Sequence, residues 1–202
     1  MNAVLEKLAH PLRKGEVEDL RDIFIEMPLE LESAALPHVD FSGAIFNAPL
    51  LLRGALFQGL AWFTDCTFNA PADFSAARFL SDARFDKARF LRGGSFSGAE
   101  FHGVACFDQA EFGDAAFLDR MTCYGNLSLD QTRFAGAASL QDSECFGGLW
   151  CNRTLFTARV DLRGLEVHGR TWLVGARIGE DPSASAAHRL LGSIRSYGYH
   201  WV

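Results

Sequence analysis

The feature that most constrains this chain is an eleven-residue register that runs through most of its length. Positions eleven apart read Phe46, Phe57, Phe68, Phe79, Phe90, Phe101, Phe112, Cys123, Phe134, Cys145, Phe156, Val167 and Ile178. A second series, interleaved with the first, reads Phe41, Leu52, Phe63, Phe74, Phe85, Phe96, Phe107, Leu118, Leu129, Leu140, Cys151, Leu162 and Leu173. No polar residue enters either. Two positions before the centres stand mostly small residues, such as Ala44, Ala55, Cys66, Ala77 and Ala88. The unit A-x-F-x-x-A-x-F-x-x-x matches neither the i, i+3, i+4, i+7 pattern of an amphipathic helix nor the alternation of a lone strand. It suits a solenoid with short flat sides, each turning one small and one large side chain inward, with Gly and Pro gathered at the corners.

The segments "ADFSA", "ARFLS", "ARFDK", "ARFLR" and "AEFHG" resemble the pentapeptide-repeat family, whose unit is A-(D/N)-(L/F)-x-x. The likeness spans residues 39 to 181. It implies an all-β fold, a right-handed quadrilateral parallel β-helix, with the centre and the preceding small residue inside. This chain adds one residue after every second pentapeptide, as at Asp82, Gly93, Val104 and Ala115, so one coil needs 22 residues and a bulged corner. Four sides per coil give about 6.5 coils at a strand spacing of ~4.8 Å.

The stacked ends of a solenoid need covering. Residues 1–38 mix apolar and charged residues at helical spacing around Pro11 and Gly15, which predicts an N-terminal cap of two short helices. Residues 182–202 predict a C-terminal helix and cap, starting at Asp181-Pro182, with Leu190, Leu191, Ile194, Tyr197, Tyr199 and Trp201 closing the last coil. The family resemblance adds the alternative that this helix forms a homodimer contact.

Composition narrows the function classes. The formal charge of -6 opposes direct nucleic-acid binding. No segment is apolar enough for a secretion signal or a membrane span, which reads as a cytoplasmic protein. Five cysteines without C-x-x-C pairs, four of them at inward positions and Cys106 outward, fit reduced thiols. Cys123 and Cys145 fall one coil apart, which leaves their pairing open. The histidines lack zinc-site spacing, and no phosphate loop or nucleophile elbow occurs, so neither metal nor cofactor is expected.

Residues 22 apart should form outward columns. Asp86, Asp108 and Asp130, followed by Asn152, would make an acidic stripe. His102, Tyr124, Phe146 and His168 form a second column, flanked by Glu100, Thr122, Glu144 and Glu166; the candidate catalytic residues are Glu144, Glu166, His168 and His102. A flat rod side offers them no cleft. Trp62, Trp150 and Trp172 point outward, with the last two adjacent, and tryptophans in such places mark recognition surfaces.

The reading that follows is a non-enzymatic scaffold that binds a protein partner through a side of the rod. The resemblance implies a second one, a DNA mimic that protects a type II topoisomerase, DNA gyrase, although residues 39–181 carry 17 acidic against 13 basic residues, a net of only -4. A third is a small enzyme built on the Glu/His cluster.

Overall fold

In a computed structural model, residues 3–8, 16–179 and 185–202 are described. Two-residue strands, each reaching its neighbour one coil away in parallel register, assemble four sheets of nine, eight, seven and eight strands. These are the four faces of a quadrilateral solenoid, numbered here 1 to 4 in chain order from the strands at Glu18–Asp19, Phe24–Ile25, Leu29–Glu30 and Ala35–Leu36. The 22-residue register is met throughout the middle, for example Ala83 on Ala105, Phe90 on Phe112 and Phe79 on Phe101.

The rings fill the axis. Phe46, Phe57, Phe63, Phe68, Phe74, Phe79, Phe85, Phe90, Phe96, Phe101 and Phe107 are fully buried. Each stacks flat on the ring one coil away, as Phe79 on Phe101 at 4.7 Å and Phe74 on Phe96 at 4.8 Å. Rings of faces 1 and 3 also meet edge to face across the axis, as Phe74 with Phe85 at 5.3 Å and Phe96 with Phe107 at 5.0 Å. Both arrangements are favoured by the ring quadrupole.

The two corner types account for the 5-then-6 spacing. Between faces 1 and 2 and between faces 3 and 4, two residues separate a centre from the next small residue, and the second adopts positive φ, as in Gln109 (60°) and Arg120 (52°). The corners between faces 4 and 1 and between faces 2 and 3 hold three residues, such as His102-Gly103-Val104; this is the added residue of the repeat.

The N-terminal expectation needs correcting. The solenoid starts at Glu18 rather than residue 39, and among the described residues before it there is one helix, α1 (Ala3–Leu8); Pro11 and Gly15 lie outside the described residues. The first coil was hidden because its corner at Pro37-His38 is one residue short, so that its strands pair 21 residues on, as Glu18 with Val39. Its inward residues, Leu20, Ile25, Leu31 and Leu36, are aliphatic. At the other end, Asp181-Pro182 lies outside the described residues, and α2 (Ser185–Gly192) is followed by two more strands. Arg195–Ser196 joins face 4 and His200–Trp201 joins face 1, each pairing 29 residues back. Among the described residues no helix is long and apolar enough to cross a membrane.

Candidate functional site

The corner between faces 4 and 1 carries the most distinctive surface. The residue after each face-4 centre points outward, and from the middle coil onward it is a ring: His102, Tyr124, Phe146, His168 and Tyr197. Successive centroids are 4.9, 5.5, 5.0 and 5.0 Å apart. The next residue is glycine in each of these coils for a steric reason: a Cβ on Gly147 would lie 2.4 Å from the carbonyl oxygen of Gly125. The corner strands therefore stack closely, and the column of rings follows at their spacing.

Beside this column, on face 1, Trp150 and Trp172 are register partners with centroids 6.3 Å apart, and Trp201 lies 4.5 Å from Trp172. Trp62 stands apart, separated from them by Arg84, Cys106 and Ser128 in the same column. The terminal strand, through Trp201, lies over Trp172. Together Tyr124, Phe146, Trp150, Tyr197, Tyr199 and Trp201 are 39–79% exposed. An open groove of about 340 Å³ borders the tryptophans, lined by Asp130, Gln131, Asn152, Arg153, Trp172 and Val174. Two buried polar atoms here, Trp172 Nε1 and Asn152 Oδ1, have no hydrogen-bond partner.

The acidic stripe is not the free charge track that its column suggested. Asp86 is buried; it accepts hydrogen bonds from Arg84 Nη2 at 2.8 Å, Cys106 Sγ at 2.8 Å and Thr64 Oγ1 at 3.1 Å. Asp108 accepts from Ser128 Oγ and from the Asp130 backbone N–H, and Asp130 accepts from the backbone N–H of Asn152 at 2.7 Å and from its Nδ2. The carboxylates are thus consumed in tying one coil to the next, which removes the mutual repulsion expected of stacked acids. Burial works to raise the Asp86 pKa, but the hydrogen bonds from Arg84, Cys106 and Thr64 together outweigh it, and the carboxyl lies below its ordinary value. Cys106, placed outward by register, is buried beneath this network; burial and the bond to Asp86 raise its thiol pKa. The five cysteines are free thiols, including the register partners Cys123 and Cys145. The arginines of the middle coils are largely paired as well, Arg78 with Glu100, Arg84 with Asp86 and Arg89 with Glu111.

The Glu/His column assembles as the register required. His168 Nε2 lies 2.9 Å from Glu144 Oε1, and Glu166 accepts from Arg195 Nη1 at 2.7 Å and from the Tyr197 hydroxyl at 3.4 Å. His102 pairs with Glu100 at 3.6 Å. Arg195 and Tyr197 could not be placed here from sequence, because the α2 insertion breaks the 22-residue count. All of these groups lie on the outside of the corner, and the grooves of about 340 and 330 Å³ have other linings. Among the described residues, neither of these two grooves is lined by His168.

At the C-terminal end, α2 presents Ala186, Ala187 and Leu190 to the core, and Ile194 follows them into it. Leu190 and Ile194 meet Leu129, Leu140, Cys151, Phe156 and Leu173 around a void of only about 10 Å³. Leu191 is partly buried against the same cluster. Tyr197, Tyr199 and Trp201 extend the outer surface instead of closing the core.

Four parallel faces, a 22-residue register and inward-stacked centres define a quadrilateral parallel β-solenoid. Residues 52–100 match the family model for pentapeptide repeats (9 copies), which is 49 of 202 residues, and the same register continues on both sides of that segment. The four-faced β-solenoid is consistent with a pentapeptide-repeat protein. No curated protein matches the chain.

Proposed function

We propose that this solenoid is a non-enzymatic interaction scaffold that docks a protein partner on the corner between faces 4 and 1. The observation that carries the reading is the continuous exposed aromatic surface formed by Tyr124, Phe146, Tyr197, Trp150 and Trp201 on a rigid stacked frame. Rings of this kind, already ordered before binding, supply contact area with little loss of side-chain freedom. A photocrosslinking amino acid placed at position 124 or 150 should capture a discrete partner in cells, whereas one at Asp73 on face 3 should not. Equal labelling at all three positions, or none, counts against the proposal.

The finer alternative, a DNA mimic acting on a type II topoisomerase, draws on the net charge of -4 over residues 39–181. Its expected acidic track is engaged within the protein at Asp86, Asp108 and Asp130. Gyrase supercoiling, with and without a fluoroquinolone, is therefore expected to be unchanged by micromolar protein. An effect at that concentration would reinstate the mimic.

A further inference from the structure

Glu144, Glu166 and His168 come from two coils, and their sequence separations of 22 and 24 residues match no short metal-binding motif. Yet one donor atom from each lies within 4.8 Å of the other two. We propose that these three side chains bind a divalent transition-metal ion, with Zn²⁺ as the type ion, on the outer corner of the rod.

Three observations support the site. The imidazole is held in place: His168 is sandwiched between Phe146 and Tyr197, with centroids 5.0 Å away on either side and interplanar angles of 9° and 16°. This clamp aims Nε2 at Glu144 Oε1, 2.9 Å away, a hydrogen-bond contact that a shift of about half an ångström would open to the ~3.4 Å between two ligands of a tetrahedral ion with ~2.1 Å bonds. The charge is also unbalanced. Glu144 and Glu166 are register partners, so two carboxylates face each other along the column, and Arg195, bonded to Glu166, offsets only one of them. Among the described residues Glu144 is left with His168 alone, and a cation between the two carboxylates would relieve the remaining repulsion. The donor set then selects the class of ion, because one imidazole with two carboxylates suits Zn²⁺, Ni²⁺ or Cu²⁺, whereas Mg²⁺ and Ca²⁺ favour all-oxygen sets. Binding exchanges the His168–Glu144 contact for two metal bonds and loosens Arg195 from Glu166. Water fills the remaining outward positions.

The other thiol- and carboxylate-bearing group, Asp86, Cys106 and Asp108, is as closely spaced. There the thiol must lose a proton that burial and Asp86 both hold in place, and Arg84 occupies the Asp86 carboxylate. It serves as the control. The proposal is independent of the partner reading, since ion binding is measured on the protein alone.

The experiment is calorimetric titration of the full untagged chain with ZnCl₂, repeated with MgCl₂. Wild type should bind one equivalent of Zn²⁺ and no measurable Mg²⁺. His168→Phe keeps a ring in the stack but removes the ligand; it and Glu144→Gln should each weaken Zn²⁺ binding by at least ~10-fold at unchanged melting temperature without metal. Arg195→Gln, which removes the competing cation, should tighten it several-fold, and Cys106→Ser should leave it alone. Absence of Zn²⁺ binding below about millimolar concentration, retention of full affinity in His168→Phe, or loss of binding only in Cys106→Ser would each overturn the site.

Discussion

The middle and the C-terminal thirds of the rod are built on the same register but fill it differently. Between Phe41 and Phe112 nearly every large slot holds a ring and nearly every small slot an alanine. Beyond residue 117 the rings of three faces give way: face 1 continues as Leu129, Cys151 and Leu173, face 3 as Leu118, Leu140 and Leu162, and face 4 as Cys123, Cys145 and Val167. Loss of the rings by itself would leave a looser core there. Instead the small slots enlarge in step, Ala105 giving way to Leu127 and Leu149, and Ala99 to Met121. Other small slots become hydroxylic, and Thr132, Ser143 and Thr154 each donate to a carbonyl 25 residues back at 2.7 Å. Summed volume, rather than any one residue type, is what the coil conserves, as close packing demands. On the outer surface, exposed rings gather from the same point onward, at Phe117, Tyr124, Phe146 and Trp150, while ion pairs such as Arg163–Asp161 and Arg195–Glu166 continue.

Substitutions can sharpen or break this comparison. The largest effect is expected from Phe85→Ala, which empties a slot flanked above and below by Phe63 and Phe107, at 5.1 and 4.9 Å, and edge-on by Phe74 and Phe96. Urea denaturation should report a loss of about 3–5 kcal/mol. Leu140→Ala, in the repacked third, should cost less, about 2–3 kcal/mol, because the neighbouring aliphatic chains can close on the space. A cost equal to that of Phe85→Ala would mean that the aliphatic coils are as rigid as the aromatic ones. Gly147→Ala pushes a methyl into the carbonyl of Gly125 and should lower the melting temperature by several degrees, with spreading of the aromatic corner visible as altered tryptophan fluorescence.

A smaller, pH-dependent effect is expected in the middle. The Asp86 carboxyl lies below its ordinary value of 3.8 in the folded chain, so its stabilisation is complete above that value and is lost as pH falls through the lower folded value. Arg84→Gln should therefore be less stable than wild type at neutral pH, and the two unfolding curves should converge under strong acid. A difference that persists unchanged at low pH would remove Asp86 from the account. The smallest effect is expected from Phe146→Ala on the exposed ladder, about 0.2–1 kcal/mol. That variant should retain its fold while losing partner crosslinking at position 150.

The large slots, the small slots and the 22-residue coil were all legible in the sequence, because a stacked axis admits only apolar residues at fixed intervals and leaves an unbroken periodic trace. So were the ring column at residues 102, 124, 146 and 168 and the adjacency of Trp150 and Trp172, which follow from counting once the coil length is known. Counting failed where the period did. The short corner at Pro37-His38 concealed the aliphatic first coil, and the insertion of α2 concealed the arrival of Arg195, Tyr197 and Trp201 beside Glu166, His168 and Trp172. The tertiary structure alone decided that the aspartate column is tied down rather than displayed, that Cys106 is buried, and that Tyr197, Tyr199 and Trp201 extend the outer surface while Leu190 and Ile194 close the core. Those outcomes depend on which side chains reach across from a neighbouring coil, and a periodic pattern records the direction in which a residue points but not what it meets there.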